Sequence, residues 1–96
     1  MGDLFMRSEN KVLEAEKRLN DILWWNRHKV LEHKCEETGK YPPKDIWDEA
    51  LENVKRIEEE IPKEELMLSD FDWGMVNGKL SAIRWFLGDE WDELST

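Results

Sequence analysis

The sequence contains one cysteine, three prolines and five glycines, and it has no long apolar run. The single cysteine, Cys35, excludes an intramolecular disulfide and fits a reducing compartment such as the cytoplasm. The apolar stretches are much shorter than the roughly 18 residues of a membrane-spanning helix. The N-terminal residues lack both the basic start and the apolar core of a signal peptide. We therefore expect a cytoplasmic protein that does not associate with membranes.

Positive charge is also scarce, because 14 Lys and Arg residues face 23 Asp and Glu residues and the formal net charge is −9. Proteins that bind phosphate backbones need clustered Lys and Arg, so we expect no nucleic-acid partner. Six tryptophans disfavour full disorder, since disordered chains contain few aromatic residues. These are Trp24, Trp25, Trp47, Trp73, Trp85 and Trp91. The composition therefore favours a folded acidic protein.

Glycine and proline divide the chain into three helical segments. Gly39 with Pro42 and Pro43 forms one break, Pro62 forms a second and Gly88 forms a third. We treat residues 1–96 as one domain. Its predicted helices span about 8–38, 43–61 and 69–87, and an acidic tail follows over 88–96. The predicted fold is all-α, with three helices and the long first helix packed against the other two.

The first helix carries apolar residues on two faces. Ser8 suits its N-cap, and Gly39 suits the position after its last turn. One face, with a period of 3.6 residues, consists of Val12, Ala15, Leu19, Ile22, Leu23 and Val30. The second consists of Leu13, Trp24, Leu31 and the expected buried Cys35, and Trp25 lies outside both. Two shorter helices cover one face, so the other needs a second subunit or a ligand.

The second helix is amphipathic on one side, whereas the third is apolar almost all round. The core stripe of the second helix is Ile46, Trp47, Ala50, Leu51, Val54, Ile57 and Ile61. In the third helix, Trp73, Val76, Leu80, Ile83 and Leu87 have the spacing of an a/d seam. A second apolar edge consists of Phe71, Met75, Ala82 and Phe86. We therefore predict a homo-oligomer, most simply a twofold-symmetric dimer.

A third edge of the last helix consists of the small residues Gly74, Gly78 and Ser81 and is extended by Trp85. Small residues four apart let another backbone approach closely, which predicts tight packing on the first helix or on a second copy. A groove with Trp85 as one wall for a flat or apolar ligand is the alternative. Two glycines inside a helix cost stability, so we expect them to have a packing or recognition role.

Asn77-Gly78 allows a second local interpretation. An Asn-Gly pair between apolar residues is a strong hairpin signal. The segment from Lys79 to Leu87, however, has a helical period and little β-branched alternation. We predict a continuous helix, with a turn at Asn77-Gly78 as the alternative.

The C-terminal segment from Phe71 to Leu94 reads FDWGMVNGKLSAIRWFLGDEWDEL. It resembles the C-terminal signature of a group of small uncharacterised microbial and phage-type proteins, W-G-x-x-N-G-K-L-S-A-x-R-W-x-L-G-x-E-W-D-x-L. The resemblance covers about the last quarter of the chain. It implies a shared C-terminal helical unit, and it carries over no activity and no catalytic or binding residue.

Polar residues near the C-terminus have two interpretations. Arg84 is placed to pair with Asp89 or Glu90 around the end of the third helix, which is the structural interpretation. The functional alternative is an anion site formed by Lys79 and Arg84, or a partner-binding tail around Trp91. Trp91 can also fold back on the core, as apolar residues after a helix end often do.

Metal-binding patterns are weak. His28 and His33 are five residues apart rather than three or four, so we expect both to be solvated on the helix surface. All-α nucleotide pyrophosphatases hold Mg²⁺ with helical carboxylates at spacings that the second helix repeats with Asp45, Asp48, Glu49 and Glu52. The second carboxylate motif of such a site is not convincing, and exposed acidic helix faces are commoner. We expect no metal and no other cofactor.

These observations predict a non-enzymatic protein–protein interaction or regulatory module that acts as a homo-oligomer. Tryptophan is enriched at interface hot spots, and the candidate binding residues are Trp24, Trp25, Gly74, Gly78, Lys79, Arg84, Trp85 and Trp91. One alternative is an acidic inhibitor of the anti-defence type, which competes with nucleic acid for a basic protein surface. Another is a small-ligand or nucleotide binder, or a metal-dependent hydrolase.

Overall fold

The computed structural model describes residues 6–90, and within that range the chain forms four helices and no strand. Helix α1 spans Glu9–Thr38, α2 spans Lys44–Glu60, α3 spans Lys63–Leu66 and α4 spans Asp70–Phe86. The all-α fold and the three predicted helices are confirmed, with their bounds within one residue. The prediction of three helices in total is wrong, because the segment after Pro62 forms the additional single turn α3.

Capping side chains and a glycine fix both ends of α1 and the start of α4, as the sequence predicts. The Ser8 hydroxyl accepts a hydrogen bond from the Lys11 amide at the start of α1. Gly39 ends α1 with a φ of 71°, and its N–H donates to the Cys35 carbonyl over 2.8 Å. Residues with side chains rarely adopt this left-handed conformation, so glycine suits the position. At the start of α4, Ser69 and Asp72 form a reciprocal capping box.

Helix α4 runs without a break through Asn77 and Gly78, so the hairpin alternative is wrong. The Asn77 amide donates a hydrogen bond to the Trp73 carbonyl one turn earlier, over 2.8 Å. The side chain thus bonds within the helix instead of supporting a turn. The helical period of the residues after Gly78 therefore outweighs the local Asn-Gly signal.

Helix α1 is the element on which α2, α3 and α4 all pack. Its 30 residues extend about 45 Å, whereas the 17 residues each of α2 and α4 extend about 25 Å. The shorter helices cannot cover all of it. Consequently Val30 and Leu31, which we expected in apolar stripes facing a partner, are exposed, and Val30 is 69% exposed. Ile46 and Leu51 of the predicted α2 stripe are exposed as well.

The main hydrophobic cluster lies where α1, α2 and α3 meet. Its members are Ile22, Trp25, Val54, Ile57, Ile61 and Leu66, and Trp24 and Leu68 pack against them. The expectation that Trp25 lies off the core is wrong, because its side chain is only 5% exposed. The unpredicted α3 supplies Leu66 to the cluster around Trp25. The Trp25 indole N–H donates to the Glu58 carboxylate over 3.0 Å, which satisfies its polar atom.

Polar side chains connect α1 to α2. Asp21 is buried on α1, and its carboxylate accepts two hydrogen bonds from the Arg56 guanidinium at 3.1 and 3.2 Å. Donation of hydrogen bonds to the Asp21 carboxylate raises the pKa of Arg56 above its ordinary value. Arg56 also donates to Asn53 and Glu60 on its own helix. This forked geometry fixes the rotation of α2 relative to α1.

A second connection ties α3 to α1. The Asn26 amide donates to the Leu66 carbonyl over 2.6 Å and to the Ile22 carbonyl over 2.8 Å. The Arg18 guanidinium donates to the Glu65 carboxylate over 2.6 Å. The contacts of Asn26 contribute more to stability than the ion pair of Arg18 with Glu65, because Asn26 is partly buried whereas the ion pair is exposed to solvent.

The role of Asn26 can be tested by Asn26→Ala. We expect this substitution to lower the free energy of unfolding by about 1–3 kcal/mol, because it leaves the Leu66 carbonyl without this donor. Urea denaturation followed by circular dichroism measures the change. The matched control is Asn10→Ala in the exposed first turn of α1, for which we expect less than about 0.5 kcal/mol. Equal losses in the two variants would contradict the assignment.

Candidate interaction surface

Helix α4 faces α1 with the predicted a/d seam. Leu80 is almost completely buried at the centre of this side. The flanking seam residues are half-buried, namely Trp73, Val76, Ile83 and Leu87. Arg84 adds a polar contact, because its guanidinium donates to the Asn20 side chain over 2.9 Å and lies 3.5 Å from the Glu16 carboxylate. The expected pairing of Arg84 with Asp89 or Glu90 is replaced by these contacts to α1.

The opposite side of α4 is an exposed surface without charge. At about 100° per residue, seven residues share an arc of about 120° that points away from Leu80. We call this surface the outer face of α4, and it consists of Phe71, Gly74, Met75, Gly78, Ala82, Trp85 and Phe86, all of them exposed. The nearest charged residues on the helix, Asp70 and Lys79, lie at the edges of the arc. An uncharged, solvent-facing helix surface is unusual in a chain with 39% charged residues.

The outer face exposes a substantial apolar area. Phe71 is 75% exposed, Phe86 is 59% exposed and Trp85 is 57% exposed. With about 200 Å² for each aromatic side chain, these three residues present roughly 400 Å² to solvent. This area is similar to the roughly 300–600 Å² of the largest apolar patch on a typical soluble monomer, and such a patch is often functional. The outer face is therefore a candidate interaction surface.

The two glycines of the outer face are open to solvent. Among residues 6–90, and apart from the helix's own backbone, a Cβ atom added to Gly74 or Gly78 would meet no atom within 4 Å. The expectation that this edge packs tightly on the first helix is therefore wrong. The physical reason is that Leu80 and the seam, on the other side of α4, already make the contact with α1. Packing of the glycines on a second copy remains a prediction.

An apolar groove continues the outer face towards the start of α1. It has a volume of about 350 Å³, and it is lined by Met6, Arg7, Val12, Ala82, Ile83 and Phe86. Ala82 and Phe86 belong to both surfaces. Met6 is 76% exposed at the rim of this groove. The apolar surface is thus larger than the outer face alone.

The structure does not bring Lys79 and Arg84 together. Lys79 is exposed at one edge of the outer face, whereas Arg84 points towards α1 and contacts Glu16 and Asn20. Five residues on a helix separate them by about 140° around the axis. The two cations therefore do not converge on a common anion site.

Trp24 and Trp25 lie away from the outer face, between α1 and α2. Trp25 is buried in the core and is not an accessible binding residue in this chain. Trp24 is half-buried and, with Ile46 and Arg56 among others, lines an opening of about 550 Å³ beside α2. The candidate residues that do share one surface are Gly74, Gly78 and Trp85, with Lys79 at its edge. Trp91 lies outside the described residues.

His28 is buried, which corrects the expectation of a solvated histidine. Its side chain is stacked between tryptophans, with ring centroids 5.0 Å from Trp24 and 5.2 Å from Trp47. Its Nε2 lies 3.1 Å from a Glu32 carboxylate oxygen, without the direction of a hydrogen bond. The ring contact between His28 and Trp47 contributes to the packing between α1 and α2. Apolar periodicity in the sequence gives no sign of this contact. His33 is exposed beside Glu37, as expected.

Metal-binding geometry is not found among residues 6–90, where no three His, Cys, Asp or Glu side chains are grouped closely enough to hold an ion. In the same part of the chain, no helix combines the length and apolarity required to cross a membrane. Comparison with protein-family models, with curated proteins and with solved structures gives no match.

Gly74→Ala tests whether there is free space for a side chain at position 74. The new methyl group meets no side chain among residues 6–90, and alanine favours a helix interior by up to about 1 kcal/mol over glycine. We expect a gain of about 0.5–1 kcal/mol in the free energy of unfolding, measured at the lowest workable protein concentration so that contacts within one chain dominate. A loss of stability there would show that this edge is packed against its own chain.

Proposed function

We propose that this protein is a non-enzymatic interaction module that acts as a homo-oligomer, with the outer face of α4 as its binding surface. The observation that carries the proposal is the uncharged, aromatic outer face opposite the packed seam of the same helix. A helix that is apolar on both sides gains stability when both are covered. Within the described chain, α1 covers only the Leu80 side.

The chemistry of the surface supports binding rather than catalysis. General acid–base and nucleophilic catalysis need titratable or nucleophilic side chains within hydrogen-bonding reach of a substrate. The seven residues of the outer face are apolar or glycine and carry no such group. Large aromatic side chains beside small residues instead match the anchors and close-approach points of protein interfaces. The single buried cysteine fits action in a reducing cytoplasm.

The size of the surface also supports this function. The three aromatic residues present roughly 400 Å², about half of the ~800 Å² that each partner buries in a standard interface. Met75, the small residues and the adjoining groove around Met6 extend the surface beyond this figure. An interface at the small or standard end of the known range can form here without rearrangement of the helices.

Light scattering tests the self-association directly. At high micromolar concentration, we expect a mass about twice the 11.6 kDa of the chain. Phe71→Glu introduces a charge on the outer face in the first turn of α4, where an acidic residue favours the helix. We expect this variant to weaken self-association by about 100-fold, because the carboxylate is desolvated without a partner in the complex.

The matched control is Ile46→Glu, which adds the same charge to an exposed apolar residue in the first turn of α2. We expect its mass to remain that of the unaltered protein. An 11.6 kDa species for the unaltered chain would overturn the homo-oligomer. Dissociation by Ile46→Glu but not by Phe71→Glu would place the binding surface on α2 instead.

A further inference from the structure

Five of the seven residues of the outer face of α4 repeat the same pattern of sizes in both directions from Gly78. Four residues away on either side are Gly74 and Ala82, and seven residues away are Phe71 and Trp85. At 1.5 Å per residue, the small pair lies about 6 Å from Gly78 and the aromatic pair about 10.5 Å. Around the helix axis, all five residues lie within about 40° of their mean direction. These five residues therefore form a near-palindrome of large, small, small, small and large residues, whereas Met75 and Phe86 have Ser81 and Asp70 at the symmetric positions.

We propose that the outer face binds a second copy of itself, with the two α4 helices antiparallel and a twofold axis passing beside Gly78. The inference rests on the self-association proposed above and specifies its geometry. In a twofold interface, residue i contacts residue j and j contacts i. Here Phe71 meets Trp85 of the second copy, Gly74 meets Ala82, and Gly78 meets Gly78. The small central residues let the backbones approach, while the aromatic residues close both ends.

Charge distribution favours the antiparallel over the parallel arrangement. The acidic residues of α4, Asp70 and Asp72, lie in its first turn, whereas Lys79, the cation at the edge of the outer face, lies in the second half, where Arg84 is already paired with α1. Antiparallel pairing brings the acidic end of one helix alongside the basic half of the other. Parallel pairing would place acid beside acid in a chain that already has a net charge of −9. The antiparallel arrangement also opposes the two helix dipoles.

The openness of Gly78 makes the arrangement accessible to the folded chain. Gly78 is exposed, and beyond its own helix backbone no atom of the described part of the chain lies within 4 Å of the position that a Cβ would occupy. A second helix can therefore approach the backbone at this point without displacing a side chain of the first. The apolar groove beside Met6 adjoins Ala82 and Phe86, so it widens the area available at both ends of a symmetric interface.

Disulfide trapping tests the geometry. Cys35 is the only cysteine, so Cys35→Ala provides a background without thiols. In that background, Gly78→Cys places one thiol beside the proposed axis, where the Cα atoms of the two copies come within the roughly 4.4–6.8 Å that a disulfide spans. Under mild oxidation we expect a covalent dimer on non-reducing gels. Circular dichroism and light scattering on the reduced variants verify folding and association.

A second set of variants distinguishes antiparallel from parallel pairing. Two Gly74→Cys thiols would lie about 12 Å apart along the antiparallel pair, so we expect this variant alone to form dimer at least about 10 times more slowly than Gly78→Cys. Mixing Gly74→Cys with Ala82→Cys should restore rapid cross-linking between the two. Rapid cross-linking of Gly74→Cys with itself, without the mixed product, would show parallel pairing and overturn the inference.

The outcomes separate this inference from the function on which it rests. If the unaltered chain is a dimer by light scattering, but neither Gly78→Cys nor the Gly74→Cys and Ala82→Cys mixture cross-links, the antiparallel pairing is wrong and self-association stands. If the unaltered chain is a monomer at high micromolar concentration, both proposals fail.

Discussion

The packing of three shorter elements on one long helix is the constraint from which the rest of the structure follows. Because α2, α3 and α4 each contact α1, each of them turns its far side to solvent. The far side of α2 is largely charged, with Glu52, Lys55 and Glu59 exposed. The far side of α4 carries no charge at all. Within residues 6–90, the same packing arrangement therefore gives α2 a charged far side and α4 an apolar far side with exposed aromatic residues.

Specific polar contacts determine how the elements sit on α1. Burial of Asp21 requires the forked hydrogen bonds from Arg56, since an unpaired buried carboxylate is costly. The Asn26 amide holds the α3 turn through the Leu66 carbonyl. On the α4 side, Arg84 reaches Asn20. Arg84 lies on the same side of α4 as Leu80, so its contact is consistent with Leu80 pointing inwards and the outer face pointing away from α1.

The sequence predicts where the helices begin and end better than it predicts which of their residues are buried. Caps and glycines such as Ser69 and Gly39 act locally, so helix bounds follow from the sequence alone. Whether an apolar residue is buried depends on which partner reaches it, which is why Val30 is exposed although it lies in an apolar stripe. Buried polar residues such as His28 give no periodic signal. The sequence already indicates apolar residues on the outer face. Only the structure shows that these residues point away from α1, because the seam on the opposite side of α4 makes the contact with α1.

The contact between the outer faces of α4 in two copies can be observed directly. Isotope-filtered nuclear Overhauser spectroscopy on a mixture of labelled and unlabelled chains measures proximity between two copies. Antiparallel pairing predicts intermolecular cross-peaks between the ring protons of Phe71 and those of Trp85, which lie about 21 Å apart along one helix. Their absence at a concentration where light scattering shows a dimer would contradict it.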